Sequence, residues 1–134
     1  MSAPEPADWT RGEPRLVVVR CDRCGMRWYL PRVHCPLCGS RDATPSPAGG
    51  RGLCVAVTRL HVTSAGPDDD SPPLGLALVE LDEGPLVMGR VHDDALAPGD
   101  RARVSFVEDA PDADRPEDRP RPRLVPSFAR EGFR

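Results

Sequence analysis

The apolar positions of this chain fall in short runs separated by Gly, Pro and Asp, and helical spacing is almost absent. Leu16-Val17-Val18-Val19-Arg20 reads as a short strand, and Met26-Arg27-Trp28-Tyr29-Leu30-Pro31-Arg32 supplies a hairpin. A longer strand over 53–62 changes phase. Val55 and Val57 share one face and Leu60 and Val62 the other, which predicts a bulge or bend near Thr58. Leu74 to Leu81 follows as a mostly apolar strand, and Asp82-Glu83-Gly84-Pro85 turns the chain into a strand over 86–91. Pro98-Gly99-Asp100 leads into 101–108, with Ala102, Val104 and Phe106 on one face and Arg101, Arg103 and Ser105 on the other. Leu124 to Phe128 reads as a last strand, set at a sheet edge by Pro126. Residues 1–14 form a polar arm anchored by Trp9, and 42–52 read as a linker by composition. The acidic, Pro/Arg-rich stretch 109–123 is predicted to be a mobile loop, and 131–134 a short tail.

These elements predict an all-β chain. An N-terminal module over 15–41 precedes a domain over 53–130, whose five strands with a long, bent first member fit a small barrel of the OB type. Composition agrees, because 17 Pro and 12 Gly in 134 residues argue against long helices. Aromatics are only 4%, so the core must be built mainly from Val, Leu and Ala. All 18 basic residues are Arg, and Lys, Ile, Asn and Gln are missing, a bias that resembles codon usage in a GC-rich genome. Arg abundance is therefore not by itself a recognition signal. No apolar run reaches the 18 residues of a membrane span. The first residues also lack the basic patch and apolar stretch of a secretory signal, so a cytoplasmic location is expected.

Four of the five cysteines form C-x2-C-x10-C-x2-C: Cys21, Cys24, Cys35 and Cys38. Each C-x2-C pair suits a tight knuckle that aims two sulfurs and nearby N–H groups at one cation, and Gly25 and Gly39 permit the backbone that closes the turn. Two facing knuckles give tetrahedral S4 coordination, the geometry of structural zinc, with one ion per chain. Two disulfides fit less well, given a fifth cysteine and no secretory signal. Iron in a rubredoxin-like centre is the other alternative, but ten residues between the pairs leave little room for the sheet such carriers build. Four thiolates leave no open position for a catalytic water. Cys54, inside Leu53-Cys54-Val55-Ala56-Val57, reads as a buried, inert thiol. Trp28 and Tyr29 are expected to cover the metal; His34, His61 and His92 read as surface or hydrogen-bonding residues.

Ribbon and barrel modules commonly bind nucleic acid, so that function is the alternative to weigh. Single-strand binding needs stacking aromatics and a basic groove. None of the six aromatics falls in 53–62, 74–81 or 86–91, where a platform would sit. Residues 1–51 carry eight Arg against five acids, a net +3, whereas 52–134 carry ten against sixteen, a net −6. An acidic barrel short of aromatics disfavours nucleic acid. Nor does the chain show an independent enzyme's motifs: Gly49-Gly50-Arg51-Gly52 lacks the Lys-Ser/Thr of a P-loop, and Asp68-Asp69-Asp70 reads as a solvated turn.

Taken in order, four pieces resemble a known family of small proteins, a rubredoxin-like zinc ribbon followed by an OB fold, once catalogued as a domain of unknown function. The pieces are Cys21-Asp22-Arg23-Cys24-Gly25 through Tyr29-Leu30-Pro31-Arg32 to Cys35-Pro36-Leu37-Cys38-Gly39-Ser40; Gly50-Arg51-Gly52-Leu53-Cys54-Val55-Ala56-Val57-Thr58; Pro73 to Gly84; and Leu96 to Val104. Family members usually carry Pro-Pro-Arg after the aromatic, and here Leu30 replaces the first Pro. The resemblance covers about residues 15–130. It implies a non-catalytic or co-catalytic accessory subunit, without catalysis of its own. Such a subunit docks on a thiolase-like enzyme, or a hotdog-fold enoyl-CoA hydratase, in a hetero-oligomer serving lipid or polyketide metabolism. It would help form or cover the acyl-CoA site, with CoA bound only within the complex. Arg32, Arg51 and Arg59 are the candidates to pair with CoA phosphates, since a guanidinium suits bidentate phosphate contact.

Overall fold

Four consecutive aliphatic side chains, Leu16 to Val19, are all buried, because the first strand is covered on both faces. The structure, a computed structural model, describes residues 6–30, 32–60, 74–91, 95–108 and 124–131. The expectations for His61, Val62, Asp68 to Asp70, His92 and the loop 109–123 lie outside the described residues. Strand β1 (Val17–Cys21) is the middle of a three-stranded antiparallel sheet, between β2 (Arg27–Tyr29) and β3 (Ala43–Pro47). Strands β4 (Arg51–Leu60), β5 (Leu74–Leu81), β6 (Leu86–Val91), β7 (Arg101–Glu108) and β8 (Leu124–Arg130) close a barrel in the order β4-β5-β6-β8-β7. The five-stranded barrel and the ranges of β5, β6 and β7 agree with the sequence reading, whereas β4 begins two residues earlier than expected, at Arg51, and β8 runs two residues further, to Arg130. Among the described residues no helix is long and apolar enough to cross a membrane.

The interval 42–52 is not a linker. Residues 43–47 pair along β1, from Val17 opposite Pro47 to Cys21 opposite Ala43, and β4 already begins at Arg51. Pro45 and Pro47 are two residues apart, so both turn their N-less edge away from β1, where β3 has no further partner strand. A Pro-Ser-Pro edge strand has linker composition, which hid it. The arm is also built in, as far as it is described. A 3-10 turn over Trp9–Arg11 is capped by buried Asp8, whose carboxylate accepts from the Thr10 N–H at 3.0 Å. Trp9 Nε1 donates to the Tyr29 hydroxyl at 2.6 Å.

In the barrel, the register of β4 against β5 shifts between Cys54 and Ala56, so the bulge lies at Val55, three residues before its expected place. The extra residue returns both Cys54 and Val57 to the inside, and it leaves Val55 exposed rather than sharing a face with Val57. Strand β8 is not an edge either. It pairs with β7 along its whole length and with β6 in parallel at Arg90–Ser127 and Val91–Phe128. That second ladder begins just after Pro126, which has no N–H to give it. Closure brings Phe128 onto Gly89, where an added Cβ would stand 2.6 Å from the ring. The barrel core includes Cys54, Val79, Val87, Ala102 and Phe128, and it continues into the ribbon through Leu16 and Val18. Ribbon and barrel therefore share one core along β1.

Candidate metal centre

The two C-x2-C segments fold as near copies of one another. In the first, the Cys24 N–H points at the Cys21 sulfur at 3.4 Å, and Gly25 N–H bonds the Cys21 carbonyl at 3.0 Å. In the second, Leu37 and Cys38 N–H groups point at the Cys35 sulfur at 3.4 and 3.5 Å, and Gly39 N–H bonds the Cys35 carbonyl at 3.0 Å. Gly25 and Gly39 sit at φ +81° and +78°, a region that strains any side chain. The first knuckle is then tied to the base of the sheet, Cys21 N–H to the Met26 carbonyl and Asp22 N–H to that of Asp42, while the second is closed on itself by Cys35 N–H to the Ser40 carbonyl. Because Asp42 leads directly into β3, the interval 42–52 is part of what frames the site.

The four sulfurs converge. Cys21 Sγ lies 3.6 Å from Cys38 Sγ, Cys24 Sγ lies 3.6 Å from Cys35 Sγ, and all four are within 4.8 Å of one another. A disulfide would need about 2.05 Å. A tetrahedron with Zn–S bonds of about 2.3 Å has edges of about 3.8 Å, so the donor set fits zinc in size and number. The electrostatics agree. The Cys24 N–H, with that of Arg23 and the Cys38 thiol, lowers the Cys21 thiol to about 6. At Cys35 burial opposes ionisation, but the Cys38 and Leu37 N–H groups outweigh it and the thiol is lowered. The Met26 N–H favours the Cys24 thiolate, yet burial and the three neighbouring sulfurs push that thiol up to about 12. Four crowded sulfurs cannot all ionise alone, and a dication is what resolves the conflict.

Cys21 and Cys35 are buried, while Cys24 and Cys38 reach the surface. Val19 and Trp28 pack against the buried pair, with Met26 and Ala43 at the margin. Tyr29 does not cover the metal. Alternation along β2 turns it to the opposite face, against the barrel core, where burial raises its hydroxyl to about 12 despite the Trp9 hydrogen bond. His34 is exposed. Cys54 is 1% exposed, burial pushes its thiol up, and its Sγ faces the Ala56 carbonyl at 3.6 Å, as expected of an inert thiol.

The three candidate arginines do not converge. Arg51 and Arg59 are eight residues apart on β4, roughly 26 Å at strand rise. Arg51 is paired with Glu131 at 3.1 Å. Arg32 instead lies beside Arg41, which sequence reasoning passed over. Both line a groove of about 380 Å³ on the ribbon, with Val17, Val19, Val33 and Pro45 among its apolar walls. No local motif announces Arg41; it is brought there by the chain returning into β3.

Comparisons with known proteins divide the chain into the same two modules, with the boundary falling inside β3. Residues 9–43 match the family model described as ChsH2, rubredoxin-like zinc ribbon domain, and residues 46–107 match ChsH2, C-terminal OB-fold domain. A protein of Pyrococcus furiosus named DUF35 domain-containing scaffold protein is 32% identical over 83 residues, 62% of this chain and 60% of the relative. One of the same name from Methanocaldococcus jannaschii is 28% identical over 79 residues, 58% of this chain and 55% of the relative. These matches thus span less than two thirds of the relatives' own length. Among solved structures, a chain of the Ltp2-ChsH2(DUF35) aldolase superposes with a TM-score of 0.62 at 26% identity, covering 85% of this chain and 83% of that one.

Proposed function

The chain belongs to the zinc-ribbon/OB-fold family of ChsH2, and from that premise we propose that it is an accessory subunit of a thiolase- or aldolase-type enzyme. In this reading it docks on the enzyme and helps form or cover the acyl-CoA site, without carrying the chemistry alone. The observation that carries the proposal is the superposition, over 85% of this chain, on a component of the two-part Ltp2-ChsH2(DUF35) aldolase. The scaffold-protein names of the archaeal relatives point the same way.

In the same proposal, one zinc ion is held by Cys21, Cys24, Cys35 and Cys38 and acts by folding the ribbon. Zinc bound there neutralises the thiolates and fixes β1, β2 and β3 around it; no substrate position is left open on an S4 ion. CoA phosphates are assigned to arginines acting separately: Arg51 and Arg59 at opposite ends of β4, and Arg32 with its neighbour Arg41.

The test is to co-express the chain with a thiolase-type enzyme from the same organism. The expected result is a stable hetero-oligomer with one zinc per copy of this chain, whose acyl-CoA affinity falls when Arg32, Arg51 or Arg59 is changed to Ala. A chain that elutes alone, beside an enzyme that works normally without it, would refute the proposal.

A further inference from the structure

The outer surface of the barrel is two different surfaces. On β7 the outward side chains are mostly polar, Arg101, Arg103 and Ser105 with Val107 at the end, as expected of a strand with one face in water. On β4, β5 and β6 the inward set is fixed by the register: Cys54 opposite Val79 opposite Val87. The side chains between them must therefore point out, and most are aliphatic: Glu80, Thr58 and Arg90 are polar, the last two on either side of Leu76. Ala56, Leu78 and Met88 form one outward row, and Leu53 and Leu86 flank Glu80 in the next. Leu60 and Leu74 close the far end. Met88 is 57% exposed and Leu86 54%.

Alternation that puts aliphatic residues on both sides of a strand serves burial on both sides. The inner side is the barrel core; among the described residues nothing covers the outer one. Burying Leu86 and Met88 takes a cover that the described residues do not supply. The row order also excludes a stacking surface for bases, since it holds no aromatic ring.

We propose that this face of β4, β5 and β6 is where the chain docks on its enzyme, against an aliphatic surface with a basic residue opposite Glu80. The inference rests on the accessory-subunit reading and gives it a location. Size favours a large partner over a second copy of this chain. The face is about 20 Å long and three strands wide, on the order of 300 Å². Two such faces would bury about 600 Å² in total, in the range of crystal packing and short of the roughly 1,200–2,000 Å² of stable complexes. A larger enzyme can seat this face at its centre and reach beyond it to a polar rim. That arrangement, an apolar centre within a wetter border, is the usual anatomy of an interface.

The test uses the full chain co-expressed with a thiolase-type enzyme from the same organism, comparing wild type, the double variant Leu86→Glu with Met88→Glu, and Arg103→Glu on the polar face. Because Leu86 and Met88 are more than half exposed, the double variant should keep its zinc content and melting temperature. Its affinity for the enzyme should fall by about a hundredfold or more, since two charges would be buried against an aliphatic surface, while Arg103→Glu binds as wild type. A folded double variant that binds like wild type would overturn the docking face and leave the accessory-subunit reading standing. Wild type failing to bind the enzyme at all would overturn both. A wild-type chain that self-associates, and does so less after the double change, would assign the face to a second copy instead.

Discussion

Around the four cysteines the buried side chains are Val19, Cys21, Trp28 and Cys35, whereas the barrel cluster gathers eleven, from Leu16 to Phe128. Both regions are made of short antiparallel strands, yet their stability has different sources. Four buried side chains cannot offset the conformational entropy of ordering the ribbon, and a metal with four fixed ligands can. The barrel closes on itself and pairs each strand on both sides, so burial and ladder hydrogen bonds suffice. The two are joined through β1 and the residue before it: Leu16 and Val18 face the barrel while Val19 and Cys21 face the metal-site cluster. A further strap runs from Arg27, which donates to the Glu83 carbonyl at 3.0 Å.

The largest effect should come from breaking the metal site. Cys35→Ser, or prolonged treatment with a chelator, removes an apparent zinc-binding energy of about 10–16 kcal/mol from the ribbon. Metal analysis should fall from one zinc to none, and the near-ultraviolet circular dichroism of Trp28 should collapse. Barrel amides should stay protected from exchange, at reduced protection because Leu16 and Val18 no longer pack. Simultaneous loss of barrel protection would mean that the two regions are one cooperative unit.

The complementary break is Phe128→Ala, which empties the ring's place over Gly89 and should destabilise the barrel by about 3–5 kcal/mol in denaturant titration. Zinc content before the transition should stay at one. Next comes the seam. Trp9→Phe removes the hydrogen bond to Tyr29 and should cost about 1 kcal/mol. Tyr29 is the chain's one tyrosine, so its ionisation can be followed directly by absorbance. Below pH 10 it is neutral whether the chain is folded or not. Above that, the unfolded chain ionises first, so the Tyr29 contribution is intact below 10 and lost as the pH climbs through about 12. Trp9→Phe should move the folded midpoint upward, because the donor that favours the phenolate is gone. The smallest effect should be Asp82→Asn. Its carboxylate meets Arg101 at 2.8 and 2.9 Å and is held below its usual range by that contact, but both groups are half exposed. The expected loss is small near neutral pH, screened by salt and absent in acid once the carboxyl is protonated.

Much of this was legible before the structure, and the residues show why. Turn chemistry at Asp82-Glu83-Gly84-Pro85 and Pro98-Gly99-Asp100 is local, and so is the knuckle spacing. The strands between those signals could be bounded to within a few residues. What escaped depends on partners distant in sequence. Strand β3 exists because β1 offers it an edge; its own composition, with Pro45 and Pro47, says otherwise. Pro126 argued for an edge, but closure against β6 placed β8 inside the barrel. The bulge was expected from a change of phase at Thr58, whereas packing around Cys54 set it at Val55. At the candidate site, the four ligands were visible as a motif. The Arg32–Arg41 groove and the aliphatic face of β4, β5 and β6 needed the fold, since both bring together residues that share no local pattern.

The accessory-subunit reading is tested most directly by the mass and metal content of the co-expressed complex, measured together by light scattering and elemental analysis after size exclusion. The account predicts the 14.6 kDa chain co-migrating with the thiolase-type enzyme at fixed stoichiometry, with one zinc per copy. A peak at the mass of the chain alone, or a complex without zinc, would contradict it.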